Sequence, residues 1–408
     1  MRLSRRGFAA GLALWSVSAC VGGGTGGERP AARAHAGFDA WVTGFRARAA
    51  KKGIRADVLA SAFRSAAFLP DVIEKDRNQT EFTRTLEDYL AIAVSEERLS
   101  MGRAALTRHG ATLQAIETRY GVEAEVVTAI WGLESKFGTR RGDIPVISAL
   151  STLAYDGRRG AFFESQLIAA LRILQSGDIS VGRMTGSWAG AMGHTQFIPS
   201  SYLAYAVDFT GDGRRDIWSD DPSDALASTA HYLRNAGWQR GQPWGVEVRL
   251  PVGFDTRLMG RGKGKSAAAW RDLGVTAANG DRLPDHGAGS ILRPGGTHGP
   301  AFLIYGNFNA IARYNNAISY VVGVGHLSDR LRGGAAIQAS FPPDAAGLSL
   351  QDRQEIQRRL TAAGYDTQGS DGVVGTNTRT AIRAYQAARG QSQTGEPTRA
   401  LLEALRRG

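Results

Sequence analysis

Apolar residues recur three and four positions apart from Phe38 to about Gly245, and that spacing constrains the fold more than any other feature of the chain. Stretches such as 82–93 and 162–174 each carry one apolar helical face, so this part reads as a packed helical body. The single cysteine, Cys20, excludes an intramolecular disulfide and leaves stability to apolar packing. Periodicity breaks over 251–299, where many Gly and scattered charge predict loops and short strands. It returns over 311–331 as helix, and 333–346, with Pro342-Pro343, reads as a linker. Residues 347–408 offer a core too small for an enzyme but sufficient for three short helices. Ile356 and Leu360 mark the first, Ala381, Ile382 and Tyr385 the second, and Leu401, Leu402 and Leu405 the third. Thr376 or Thr378 is the expected N-cap of the second.

The first residues read as an address. Arg2, Arg5 and Arg6 precede an apolar run, 7–19, that is too short to span a bilayer. Ser4-Arg5-Arg6-Gly7-Phe8 resembles a twin-arginine export signal. Val17-Ser18-Ala19-Cys20 resembles a bacterial lipobox, which implies a signal peptide over 1–19 and a lipidated Cys20. A plain signal peptide with a stray cysteine is the alternative. Residues 20–37, rich in Gly, Ala and Arg, read as a flexible tether. The expectation is a periplasmic lipoprotein, held at the outer rather than the inner membrane because Val21 is not Asp. The net charge is +11, and the three Arg of 1–19, with no acid there, leave +8 on the remainder. No Arg-rich recognition helix or interleaved aromatic platform supports nucleic acid, so an anionic cell-wall polymer fits better.

Tyr120-Gly121-Val122 introduces an expected helix over 123–137, stopped by Gly138. Glu134 lies near its end, with Ile130, Trp131 and Phe137 as helical neighbours and Val127 seven back. A carboxyl on such a face loses hydration, which favours its neutral form and suits a general acid. The bland reading is a glutamate paired with Lys136 or Arg140 at a helix end. A second stretch, 186–201, gathers small residues with Ser187, Trp188, Met192 and Gln196. Glycine and alanine let a ligand approach the backbone, while the amide and hydroxyl suit sugar hydroxyl or acetamido groups.

Together with Ala129-Ile130-Trp131-Gly132-Leu133-Glu134-Ser135-Lys136-Phe137-Gly138, this stretch resembles family B of the bacterial lytic transglycosylases. Gly299-Pro300-Ala301-Phe302-Leu303, Asn307-Phe308, Arg313-Tyr314-Asn315 and Tyr320 complete the resemblance in family order across 38–331. It implies a mainly α, lysozyme-like catalytic domain with a helical N-terminal lobe and a loop/strand insertion, taken as 38–332. It implies Glu134 as the single catalytic residue and Ser187, Met192, Gln196, Tyr314, Asn315 and Tyr320 as substrate contacts. His194-Thr195 departs from the Tyr-Gly of well-known relatives. The implied reaction cuts the MurNAc–GlcNAc β-1,4 bond of peptidoglycan glycan strands without water and leaves 1,6-anhydro-MurNAc ends. A muramidase of the same fold, needing a second carboxylate in the groove where the sequence cannot place Asp143, Asp156 or Glu164, and a non-catalytic wall-anchoring lipoprotein remain alternatives. Over 347–407, Gly364-Tyr365-Asp366, Asp371-Gly372-Val373-Val374-Gly375 and Ala384-Tyr385-Gln386 resemble the three-helix peptidoglycan-binding domain.

Asp208-Phe209-Thr210-Gly211-Asp212-Gly213 resembles the start of an EF-hand loop, although Thr210 replaces Asp or Asn and Ser219 stands where the closing Glu belongs. The family resemblance implies a structural Ca2+ on Asp208, Thr210, Asp212, the Arg214 carbonyl and Asp224, with two extra residues around 219–221 that threaten closure. The alternative is an Asp/Gly turn held by its own side chains. No cofactor is expected for the chemistry. The seven His show no zinc spacing, and Gly262-Lys263-Gly264-Lys265-Ser266 lacks the leading Gly of a phosphate loop. The expected partners are glycan strands and, through acylated Cys20, a lipid membrane; the chain is expected to be a monomer.

Overall fold

The computed structural model describes residues 33–78 and 85–408. The signal peptide, Cys20 and most of the tether therefore lie outside the described residues, as does Phe82. Helices dominate, and one large apolar core runs from Phe45 to Leu331. At its centre lies the helix Ala124–Ser135, in which every residue from Val126 to Ser135 is buried. A helix apolar on all sides belongs in a core. Ile318–Leu331, Glu96–Arg108, Ser223–Asn235 and Gly110–Tyr120 pack around it. Each fully buried Ile, Leu or Trp there contributes roughly 1.5–3 kcal/mol or more of transfer free energy.

The insertion has its own small core. Strands Thr276–Ala277, Gly245–Arg249, Ala301–Ile304 and Ser290–Leu292 form an antiparallel sheet in that spatial order. Trp270, fully buried on the short helix Ala267–Asp272, packs beneath it and donates its indole N–H to the Gly289 carbonyl at 2.8 Å. The two longest strands flank the 251–299 stretch rather than lying inside it. Ala301–Ile304 is apolar and buried at all four positions, so no period-two pattern marked it as a strand.

Local starts and stops explain the remaining differences. The helix expected over 82–93 begins at Leu86, because the Thr85 side chain accepts the Asp88 N–H at 3.1 Å. The tether ends earlier than 37: the first helix, Ala36–Lys51, is capped by His35, whose ring packs on Phe68 and Tyr155. Arg33 bridges to the Phe68 carbonyl at 3.1 Å. Near the other end, Leu350–Ala362, Thr376–Ala388 and Arg399–Arg407 enclose a third core around Ile382, Leu360 and Leu402. A capping box between Ser349 and Asp352 opens the first of these helices. Neither Thr376 nor Thr378 caps the second. Gly375 occupies the N-cap, and Thr378 is buried with its hydroxyl accepting from Gln357 at 3.0 Å.

The stretch 333–346 lies against the body. Glu247 accepts the N–H groups of Gln338 and Ala339 at 2.8 and 2.7 Å, and Ile337 and Phe341 pack on the main core.

Candidate active site

The Glu134 helix stops at Ser135, two residues before the expected end. Lys136, Phe137 and Gly138 all take positive φ, at 50°, 56° and 83°. Left-handed backbone costs a non-glycine residue about 1 kcal/mol or more, so surrounding contacts must enforce this reversal. The Phe137 ring folds back onto Gly132, where a Cβ would come within 2.6 Å of it. Arg98 donates to the Gly132 carbonyl, placing a buried cation at the helix C-terminus. Lys136, weighed as a partner for Glu134, instead pairs with Glu97 at 2.6 Å.

Glu134 is 1% exposed and accepts a hydrogen bond from the Tyr320 hydroxyl at 2.6 Å. Tyr320 sits in the first turn of Ile318–Leu331. Burial, and the Glu134 charge beside it, push its phenol well above the ordinary value, so it remains a donor. Tyr314, also pushed well up by burial and then by Glu134, donates to the Thr195 carbonyl and packs against Phe197 and Tyr232. Asn315 is 7% exposed; its side-chain oxygen accepts the Ala317 N–H at 3.0 Å and shapes the turn into the Tyr320 helix.

The second wall is the loop 186–197. Met192 and Phe197 exchange backbone hydrogen bonds at 2.9 and 3.0 Å, and Met192 is fully buried in the apolar core. Ser187 accepts the Ala191 N–H at 3.1 Å, leaving its hydroxyl proton to give. Gln196, at φ 54°, donates to the carbonyls of Arg141 and Gly193 at 3.0 and 2.8 Å. Gly142 passes so close that a Cβ would lie 2.3 Å from the Gly186 carbonyl. The structure thus places Glu134 with Tyr320 and joins Gln196 and Tyr314 to the adjoining loop. Ser187, Met192 and Asn315 hydrogen-bond within the surrounding turns, to Ala191, Phe197 and Ala317.

Sequence reasoning missed Arg98 and Arg141 and gave His194, noted only as a departure, no partner. Arg98, Arg141 and His194 are anchored by carbonyls and an indole far away in sequence, which no local pattern announces. His194 accepts from the Trp131 indole at 3.1 Å and reaches the Ser219 carbonyl at 2.7 Å. Burial pushes it down to about 4, so it is neutral near pH 7.

The acidic loop closes on Asp224 with residues 219–221 intervening. Ligand atoms of Asp208, Asp212 and Asp224 lie within 4.8 Å of one another. Asp224, 3% exposed in the first turn of Ser223–Asn235, is pushed up by burial although it takes the N–H groups of Phe209, Thr210 and Asp216. Asp208 accepts from Gly211 and Gly213 at 2.6 and 2.8 Å, as an Asx turn would. Thr210 is exposed with its hydroxyl 3.4 Å from Asp208, and the Arg214 N–H donates to Asp212 at 2.9 Å. Residues 219–221 bulge outward, held by Arg141 on the Ser219 carbonyl and Asp220, and by Asp221 on Ser223. Three converging carboxylates fit a hard, oxygen-seeking cation such as Ca2+.

Besides Glu134, the fully buried acids among the described residues are Asp76, Asp178 and Asp224. Asp76 pairs with Arg158, Asp178 with Arg215, and Asp224 holds the loop. Asp156 and Glu164 pair with Arg77 and Arg48, and Asp143 is exposed.

Comparison with known proteins agrees with this geometry. SltB3 from Pseudomonas aeruginosa in complex with NAG-anhNAM-pentapeptide superposes with a TM-score of 0.74 at 47% identity, covering 91% of this chain and 100% of that one. The Escherichia coli lytic transglycosylase Slt35 in complex with calcium gives 0.60 at 28% identity, covering 73% and 93%. Membrane-bound lytic murein transglycosylase B of Escherichia coli (strain K12) is 36% identical over 216 residues, 51% of this chain; the match spans little more than half of that relative, 56%. Residues 349–405 match the peptidoglycan binding domain family. Residues 37–329, which hold Glu134, Tyr320 and both walls, match the transglycosylase SLT domain, and the chain belongs to that family of lytic transglycosylases.

Proposed function

We propose that this chain cleaves the β-1,4 bond between N-acetylmuramic acid and N-acetylglucosamine in peptidoglycan, with Glu134 as acid and then base. The observation that carries the reading is a buried carboxyl hydrogen-bonded by Tyr320 inside a family match of lytic transglycosylases. A carboxyl taken out of water among apolar walls favours its protonated form, and Glu134 gives that proton to the glycosidic oxygen as the C1–O bond breaks. Tyr320 orients the carboxyl and holds the charge that remains. The C6 hydroxyl of the same muramic residue then attacks C1, and its proton passes to Glu134, which restores the enzyme. Atoms balance without water, and a 1,6-anhydro ring forms. An attacking group on the same sugar has the orientation advantage of an intramolecular reaction.

Water-using hydrolysis needs a second carboxylate, and two candidates for it, Asp156 and Glu164, are already paired with Arg77 and Arg48, which supports the water-free route. The SltB3 complex with an anhydro-sugar fragment supports it from a relative. Ser187 and Gln196 hold the loop that faces the glycan, and the 349–405 module raises the local concentration of glycan. Asp208, Asp212 and Asp224 would hold a structural Ca2+, which would order the loop and take no part in bond cleavage. An anchor at Cys20 in the periplasm is supported by the lipobox-like Val17-Ser18-Ala19-Cys20 and by a relative named as membrane-bound. No helix among the described residues is long and apolar enough to cross a membrane.

Digestion of purified sacculi in oxygen-18 water tests the chemistry. Anhydro ends, lighter by about 18 Da than hydrolysed ends and resistant to borohydride, are expected to dominate. Labelled, reducible ends would overturn the mechanism while leaving the acid in place.

A further inference from the structure

The chain reversal after Glu134 is held from one side by a single residue. His194 touches the end of the Glu134 helix twice: its carbonyl accepts from the Ser135 hydroxyl and its ring nitrogen Nδ1 from the Trp131 indole. The same Ser135 hydroxyl accepts the Gly138 N–H at 2.9 Å, fixing the left-handed turn. Gly138 lies flat against the imidazole, where a Cβ would approach Nδ1 to 2.5 Å.

The chemistry of the partners sets the tautomer. An indole N–H can only donate, so Nδ1 must carry a lone pair; a carbonyl can only accept, so Nε2 must carry the proton given to Ser219. Arg141, 3.2 Å from Nε2, then faces a donor, and it spends its N–H groups on the carbonyls of Trp218 and Ser219, both at 2.8 Å, and on Asp220.

From Ser219 the connections continue without a break. Asp216 accepts the N–H groups of Trp218 and Ser219 at 2.9 and 3.0 Å, and its own N–H donates to Asp224 at 2.9 Å. Asp224 belongs to the three-carboxylate cluster. At the other end, Trp131 lies three residues before Glu134, on the same side of the helix. The residues noted in the sequence as departures, His194 and the extra 219–221 segment, are therefore in direct contact, and they form the bridge between the acidic loop and the glutamate.

We propose that His194 is a positioning residue for Glu134, which transmits the order of the 208–224 loop to the end of the Glu134 helix. The proposal rests on the reading of Glu134 as the acid. It implies that calcium acts on this enzyme at a distance, by stiffening the loop that His194 grips.

The full chain is compared with His194→Phe, which keeps a ring and loses both nitrogens, and His194→Gln, which can accept from Trp131 and donate to Ser219. Three quantities are read: kcat and KM on soluble glycan strands, glycan affinity in a Glu134→Gln background, and the Trp131 indole N–H resonance as calcium replaces chelator. His194→Phe is expected to lower kcat roughly ten- to a hundredfold, the scale of a misplaced catalytic group, with KM and affinity nearly unchanged. His194→Gln should recover most of the loss. Calcium should shift the Trp131 resonance in the wild type and in His194→Gln but not in His194→Phe. A folded His194→Phe with wild-type kcat overturns the proposal, as does a wild-type Trp131 resonance indifferent to calcium; the latter needs no variant to fold. Glu134→Gln separates the two readings. If it is inactive while His194→Phe is unimpaired, only the positioning role falls; if it turns over normally, the acid itself is misassigned.

Discussion

Glu134 and Tyr320 stand 186 positions apart and share one short hydrogen bond at the heart of the molecule. Glu134→Gln retains shape and loses the transferable proton, so release of soluble fragments from sacculi should fall at least ~10²-fold with binding intact. Tyr320→Phe removes one hydrogen bond to a charged group, a loss of about 1.5–3 kcal/mol, and should slow turnover roughly ten- to a hundredfold. Near wild-type rates in either variant would remove that residue from the chemistry. Two buried imidazoles, His194 and His326, are both pushed down to about 4 by burial. Below about pH 6.5 the unfolded chain takes up these protons first. Each group therefore withdraws about 3 kcal/mol of stability as pH falls to about 4. Asp329, pushed up to about 6 by burial, works in the opposite sense, being protonated in the fold while ionised in the unfolded chain between about 4 and 6. Denaturant melts between pH 7 and 4.5 should show a shallower acid loss for His326→Gln than for the wild type; parallel curves would reject the assignment.

At the scale of elements, the acidic loop is where local pattern and tertiary closure meet. Gly211 and Gly213, at φ 78° and 86°, make the tight turns the sequence advertised, but the closing Asp224 arrives on the next helix. Arg141 and His194 both reach the Ser219 carbonyl, which holds that residue out of the loop. A cation that binds only the folded chain stabilises it by about 2.7 kcal/mol at a hundredfold excess over Kd. Calcium should therefore raise Tm, and Asp212→Ala should abolish the rise. Identical melting curves with calcium and with chelator, on metal-free protein, would leave a simple Asx turn.

Across the whole molecule, the C-terminal helices are pinned to the catalytic body. Arg353, 3% exposed, donates to Asp88 and Glu87 on the helix Leu86–Ala93, to Asp344, and to the carbonyls of Gly372 and Leu348. Its five N–H groups match these five acceptors. Burial holds Glu87 above its ordinary value despite the guanidinium. Replacing Glu87 with Gln and Asp88 with Asn removes the body's share and leaves the bonds inside the terminal unit. Each charged hydrogen bond lost should cost on the order of 2 kcal/mol of docking. Small-angle scattering should show a larger radius of gyration, and proteolysis within 339–348 should accelerate while the Ile356–Leu402 core survives. Unchanged scattering would mean that apolar contacts hold the unit without Arg353.

Sequence by itself determined the helical class, the reversal near Gly138, the acidic turns and the three short helices at the end, because apolar spacing and turn chemistry act over a few residues. Its apolar neighbours left Glu134 as either an acid or a paired helix-end glutamate, the family resemblance chose the acid, and the structure places that carboxyl 1% exposed. Other features needed the folded chain. Phe137 left the helix because its ring fills the notch at Gly132, and Thr378 turned inward to Gln357 rather than capping its helix. The Tyr320 bond, the His194 bridge and the Arg353 pin join residues from 25 to 266 positions apart. Such partners are selected by packing in three dimensions, where a buried polar group must find an acceptor or lose its hydration without return. No pattern along the chain records which acceptor that will be.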